Sequence, residues 1–362
     1  MTPEMKILRP IAILASFLML TASAMAQMSL TPPAAQTPPP AASEPASKPK
    51  PKPATTAKRP AAAKPVIPAA APAATVTPAP APDDPNVDLV YGAYQRGQYK
   101  TAYDLAIKRA EAGDPKAMTM LGELSANALG IKRDDAKAAE WYKRAADGGD
   151  REGMFELAMM RLAGRGGPVD REEAARLLAS SAKLGNPKAA YNLALLYLDG
   201  QTLPQDLRRC AELLRLAADA GNPEAQYALA TFYKEGTGVP KDVEKSVRLL
   251  QAASLADNID AEVEYAIALY NGTGTPKNEA AAVALLRKAA KQNSPIAQNR
   301  LARVLVSAPG APADQVIEGF KWHLVAKTAG KGDPELDEAM SKINPENRAK
   351  AEALARRWLN VK

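Results

Sequence analysis

The sequence predicts an all-α solenoid of stacked helical hairpins, and three regularities point to it. Asp114, Asp150, Asn186, Asn222, Asn258 and Ser294 stand 36 residues apart. Each has a short side-chain oxygen that can accept from the free N–H groups at the start of a helix. A second series in the same register, Asp134, Asp170, Asp206, Asp242, Asn278 and Asp314, marks another helix start in every unit. The apolar residues between these marks recur at helical spacing, as Val243, Val247, Leu250 and Ala253 do. Two short helices cannot close a core alone, so neighbouring units must stack in a row.

Residues 1–26 read as a secretory signal. Lys6 and Arg9 form a positive start, Ile11 to Leu20 an apolar core, and Ala24-Met25-Ala26 a small-x-small cleavage site. Its apolar run is shorter than the roughly 20 residues of a membrane span. The expected product starts at Gln27 and is periplasmic or secreted, with an uncleaved inner-membrane anchor as the alternative.

From residue 27 to 85 the chain is almost wholly Pro, Ala, Ser, Thr and Lys, without apolar periodicity. Such a segment buries too little to offset its ordering entropy, which predicts a disordered, locally extended linker. At about 3.1 Å per residue its contour could reach on the order of 180 Å. Lys48, Lys50, Lys52, Lys58, Arg59 and Lys64 make it basic, which suits contact with cell wall or an anionic membrane.

The folded part is expected over 86–362, with units near 86–113, 114–149, 150–185, 186–221, 222–257, 258–293 and 294–332 and a cap over 333–362. The first unit is a degenerate hairpin with helices around Asp88 to Gln95 and Thr101 to Ala112. Proline follows the cap at Pro115, Pro187, Pro223 and Pro295, the first helical position, where a missing N–H costs nothing. Leu121, Leu157, Leu193, Leu229, Tyr265 and Leu301 share one slot, and Gly122, Ala158, Ala194, Ala230, Ala266 and Ala302 share the next. A large residue beside a small one lets two helices approach closely. The end is predicted to hold helices at Pro334 to Lys342 and Pro345 to Leu359. In the latter, Ala351, Leu354, Ala355 and Trp358 form the apolar face, and Arg348, Lys350, Arg356 and Arg357 face water.

The segment Ala225 to Asp242 reads Ala-Gln-Tyr-x-Leu-Ala-x-x-Tyr-x-x-Gly-x-Gly-Val-x-x-Asp. This resembles the Sel1-like repeat family, relatives of tetratricopeptide repeats, with Ala230 in place of the usual glycine. The unit from Asn186 matches through Ala189, Tyr191, Leu193 and Tyr197, and Trp141 and Trp322 fall at the expected second-helix slot, the latter displaced by one residue. The resemblance covers residues 114 to 330. It implies a right-handed α/α solenoid that acts in protein-protein interaction, with exported members serving as adaptors in envelope signalling, polysaccharide production or envelope organisation.

The period also judges the residues that invite a chemical reading. Cys210 is the one cysteine of the chain, which excludes an intramolecular disulfide, and its equivalents are Ala138, Ala174, Ser246 and Ala282. His323 is the one histidine, in the slot of Tyr142, Leu178, Leu214, Leu250 and Leu286. Both read as packing residues, with no second His or Cys at metal-ligand spacing. Gly236-x-Gly238 and Gly272-x-Gly274 follow no strand and recur at the helix-to-helix loop, so they read as loop glycines, not as a nucleotide-binding turn. No catalytic, cofactor or metal residues are assigned, and the chain reads as a non-enzyme. Residues 86–362 hold 39 basic against 36 acidic side chains, without the basic stripe that nucleic acid requires.

In related helical repeats the first helix of each hairpin lines the concave face. Carried over, that geometry selects an apolar strip of Phe155, Met159, Leu162, Tyr191, Leu195 and Leu198, extended by Tyr227 and flanked by Glu152, Lys188 and Asp199. The strip is read as the surface for another envelope protein or peptide. Packing between adjacent units is the competing account of the same residues. Two functions follow: a non-catalytic periplasmic scaffold or regulator, or a cell-envelope binding module that works through its basic Pro-rich stalk.

Overall fold

Every unit begins with a cap that the chain supplies locally. The computed structural model describes residues 88–360, so the signal and the linker expected over 1–26 and 27–85 lie outside the described residues. The helices are α1 (Leu89–Gln95), α2 (Tyr99–Glu111), α3 (Pro115–Ala126), α4 (Asp135–Asp147), α5 (Arg151–Ala163), α6 (Arg171–Lys183), α7 (Pro187–Asp199) and α8 (Leu207–Asp219). They continue as α9 (Pro223–Glu235), α10 (Val243–Leu255), α11 (Ile259–Asn271), α12 (Glu279–Lys291), α13 (Pro295–Ser307), α14 (Ala313–Thr328), α15 (Pro334–Lys342) and α16 (Pro345–Asn360). No strand occurs among the described residues, and each helix up to α15 packs on the one before it, whereas α16 packs on α14.

The six first-helix caps all act through their side chains. Asp114 accepts from Lys116 and Ala117, Asp150 from Gly153, Asn186 from Lys188 and Ala189, and Asn222, Asn258 and Ser294 each from the third residue on. In the second series, Asp134, Asp170, Asp206, Asp242 and Asn278 do the same for α4, α6, α8, α10 and α12. Each such cap contributes about 1 kcal/mol. Asp314 breaks the series. α14 starts at Ala313 behind Pro312, and Asp314 lies inside its first turn. This helix has 16 residues against 13 in α12, it starts two residues ahead of the 36-residue register directly behind Pro312, and Trp322 falls one residue past its slot.

Glycines turn the chain at the other ends. Gly164, Gly200, Gly236 and Gly272 close α5, α7, α9 and α11 in the left-handed conformation, with φ between 65° and 82°. Ala128 takes that slot after α3 with φ 56°, a strained geometry for a residue with a Cβ. The next glycine matters for packing. A Cβ on Gly238 would lie 2.2 Å from the carbonyl oxygen of Leu207, so this loop rests directly on the start of the preceding second helix.

The large-small pairs bury as the period predicts. Leu121, Leu157, Leu193, Leu229 and Leu301 are buried, Tyr265 is half-buried, and the small residue beside each is buried too. Gly122 shows why the small slot exists: a Cβ there would come 2.6 Å from the ring of Tyr142. Tyr142 fills the slot that holds leucine in four other units, and only a glycine opposite leaves it room.

The ends close the stack with atypical helices. α1 and α2 bury Val90, Ala93, Ala102, Ala106 and Ala110 against α3. At the other end α16 packs on α14 through Ala351 and Ala355, and the Trp358 ring meets Trp322 edge to face at 5.1 Å. Leu354, expected on the buried face of α16, is instead 43% exposed. α16 touches the stack along a narrow seam, and Leu354 lies beside it.

Candidate protein-binding groove

Because successive first helices share one cap and one stop, their equivalent residues come side by side. Thr119 of α3 donates to Asp150 at the head of α5 (2.7 Å), and Lys234 of α9 pairs with Glu264 of α11 (2.9 Å). These bonds run from one first helix to the next and mark the inner face of the stack.

The apolar strip is mostly packed and not open. Phe155, Tyr191, Leu195 and Leu198 are 8, 6, 7 and 6% exposed, whereas Met159, Leu162 and Tyr227 are half-buried. Tyr227 shows the physical reason. It packs against Ala230, Leu250, Ala253 and Ala261, the last of these from the following unit. Small residues at the start of each first helix let the aromatic side chain of the previous unit lean across, so the large side chains seal the seam between units. Packing between adjacent units, the competing account of the strip, therefore holds for four of its seven side chains, and the other three remain partly accessible between them.

Polar and charged groups occupy the remaining surface. Of the flanking charges, Lys188 is exposed and Glu152 and Asp199 are half-buried. Lys188 stands 6.0 Å from the centre of the Phe155 ring. Burial pushes the Glu156 carboxyl up, and Lys188 opposes that shift only in part. At the first hairpin the Tyr94 hydroxyl donates to Glu123, which with burial pushes the phenol up to about 12. The sequence reading selected the second position of each first helix but named only Glu152 and Lys188 there, leaving out Glu224 and Asp260, and it did not select the sixth, where Glu264 stands. Counting charges helix by helix would have found them.

Cys210 and His323 lie where their slots place them. Cys210 is fully buried, and desolvation pushes its thiol up to about 12, which leaves almost no thiolate to react. His323 is also fully buried, with Nε2 2.8 Å from Asp337 of α15. Lys327 donates to the same carboxylate, and the hydrogen bonds of Lys327 first and His323 second hold it below the usual range. The histidine thus ties α15 to α14, a contact its slot did not reveal.

The model of the Sel1 repeat matches residues 115–150, 151–186, 187–222, 223–258 and 259–294, in each case starting one residue after a first-helix cap. The chain belongs to the Sel1-repeat family. Sel1-repeat proteins are protein-interaction scaffolds, and their helical repeat is a non-catalytic fold. Among solved structures, a Sel1 repeat protein from Oxalobacter formigenes is 25% identical with TM-score 0.59, covering 66% of this chain and 98% of that one. The c5321 protein, a protective antigen of uropathogenic Escherichia coli with the same repeat fold, is 25% identical with TM-score 0.52, covering 72% of this chain and 64% of its own. No curated protein matches the sequence.

Proposed function

We propose that this Sel1-repeat protein is a periplasmic, non-catalytic scaffold or regulator that holds a segment of another envelope protein along the inner face of α5, α7 and α9. The observation that carries the reading is the mixed character of that face. Met159, Leu162 and Tyr227 are partly accessible between packed neighbours, beside the exposed Lys188 and the half-buried Glu152 and Asp199. A rigid surface of this kind, apolar at intervals and charged at its edges, suits a peptide or a helix. Export past the inner membrane and a role in envelope signalling, polysaccharide production or envelope organisation belong to the same proposal. They rest on the signal-like residues 1–26 and on the family.

Aspartate at Leu195 or Leu198 would unfold the unit and report nothing about binding, since both are packed. The test is site-specific photo-crosslinking in cells at Met159, Leu162 and Thr231 on the inner face and at Arg176 and Arg215 on the outer. One envelope protein captured from the inner positions and from neither outer position is the expected result. Capture that does not differ between the two faces would sink the reading. The basic linker supports a second reading, an envelope-binding module, with six basic residues against three acidic over 27–85. Deleting residues 31–82 separates the two, because only the second loses envelope retention while partner capture persists.

A further inference from the structure

The charges of the solenoid are sorted by face in its second half. α9 and α11 hold five acidic residues against one lysine, while α8, α10 and α12 hold eight basic against four acidic. One of those acids, Glu262, is buried and turned towards Lys288 of α12. The other four, Glu224, Glu235, Asp260 and Glu264, are exposed or half-buried. Lys234 answers Glu264 alone, and Glu224, Glu235 and Asp260 make no ion pair with any described residue. Asp260 and Glu264 are one helical turn apart, a like-charge pair that an isolated helix would disfavour.

Two tyrosines border these acids. Tyr191 is 6% exposed, yet its hydroxyl makes no hydrogen bond and lies within the field of Glu224. Burial and that carboxylate push its phenol up to about 12. Tyr227 sits in the combined field of Glu264, Asp260 and Glu235, and its phenol is pushed up beyond the usual range, burial again being the larger cause. Three carboxylates without an ion-pair partner, beside a largely buried tyrosine whose hydroxyl has no hydrogen-bond partner, form a surface suited to ammonium or guanidinium groups.

We infer that the inner face of α7, α9 and α11 recognises a lysine- or arginine-bearing segment of its partner, with the cations seated between Glu224 and Asp260, beside the Tyr191 hydroxyl and the half-buried Tyr227 ring. This rests on the inner face being the binding face, as proposed above. Helices packed side by side lie about 10 Å apart, and an extended chain advances roughly 3.3 Å per residue. Cations three residues apart in an extended peptide would therefore meet equivalent acids of successive units.

The test uses the purified chain and three labelled 12-residue peptides of alternating Ala and Ser, with Lys, Gln or Glu at every third position. The Lys peptide should bind saturably, the Gln and Glu peptides at least tenfold more weakly, and raising the salt from 50 to 200 mM should weaken the Lys peptide severalfold. The double variant Glu224→Gln/Asp260→Asn, with both substitutions at the surface, should reduce binding of the Lys peptide at least tenfold, and the outer-face variant Arg215→Gln should leave it unchanged. Equal binding by the double variant and the parent would overturn the inference, as would absence of saturable binding. The crosslinking above distinguishes the two levels. If inner-face capture persists at full yield in the double variant, the groove reading stands and the basic partner is excluded. If inner-face capture itself fails, both fall.

Discussion

The units over 222–257 and 258–293 have one fold and one register, yet they answer the same structural demand differently. At the fourth position of α9, Gln226 donates its Nε2 to the carbonyl of Ala218 at 3.2 Å, and Gln298 of α13 does the same to Ala290 at 3.1 Å. Between them, Glu262 takes the slot in α11. It is 0% exposed, and neither carboxylate oxygen accepts a hydrogen bond. A carboxylate cannot donate to the helix-end carbonyl that an amide satisfies. Lys288 offsets the charge from 3.4 Å, where the preceding unit has Ala252. Stacked repeats share their backbone demands, so each departure in one unit is a mutation whose control is the unit beside it.

The glycine loops should break the comparison most severely. A Cβ at Gly238 would lie 2.2 Å from the Leu207 carbonyl oxygen, whereas at Gly274 it would lie 2.9 Å from that of Val243. Both residues have positive φ, 65° and 67°, so the conformational penalty of alanine, about 1–2 kcal/mol, is shared. The backbone clash is not. Gly238→Ala is expected to cost about 3 kcal/mol or more and Gly274→Ala about 2 kcal/mol. Urea melts followed by hydrogen exchange in α9 and α10 would check this, and equal losses at the two sites would show that the loop shifts freely.

Exchanging the side chains of the fourth position should have the next largest effects. Gln226→Glu buries a carboxylate with no lysine opposite it, and is expected to destabilise by about 2–3 kcal/mol at pH 7. Its measure is the difference in urea midpoint from the parent. A loss below that expected for a single exposed substitution would mean that water enters the slot.

The reverse exchange, Glu262→Gln, should sharpen the comparison by about 1–2 kcal/mol of added stability at pH 7, because an amide can donate to the carbonyl of Ser254, eight residues earlier as in the sister units. The pH dependence has a definite sign. Burial pushes the Glu262 carboxyl up from 4.5, against the smaller pull of Lys288. A group whose pKa is raised by folding stabilises most when protonated, so its contribution is full below the unfolded value and is lost as pH rises through the folded one. The advantage of glutamine should therefore shrink as pH falls from 7 towards 4.5. Melts of both proteins at the two pH values read this directly, and a constant difference would refute it.

These contrasts also separate what a sequence makes legible from what it hides. A cap acts on residues two or three positions away and a left-handed glycine on its own backbone, so Asp114, Asn222, Gly236 and their equivalents could be assigned from spacing alone. The strip was different. Whether Phe155 or Leu195 opens to the groove or seals the seam depends on the angle at which units stack, which no single helix encodes. Asp314 misled because α14 starts early, directly behind Pro312, and Leu354 because a helix packed along a narrow seam hides fewer residues than its apolar face suggests. The acids of α9 and α11 were visible at once as letters. Their accessibility, and the lack of an ion-pair partner at Glu224, Glu235 and Asp260, required the neighbouring helices.

The smallest expected effect concerns the turn that leads into each unit. Gly221 has φ 85°, and one period later Asp257 adopts φ 60°, a conformation that a side chain disfavours. Asp257 has a partner, since Lys288 donates to it at 2.8 Å and holds its carboxyl below the usual range. That carboxylate is 78% exposed, so water and salt screen the pair and it contributes little. Removing the Cβ should outweigh removing the charge, and Asp257→Gly is expected to raise the melting temperature by roughly one to three degrees. Asp257→Asn sets the two terms apart, because it keeps the Cβ and removes the charge. If it melts like the parent while the glycine variant melts higher, backbone conformation decides this turn. If both variants melt lower, Asp257 is held by its bond to Lys288, and that lysine then serves Asp257 and Glu262 together.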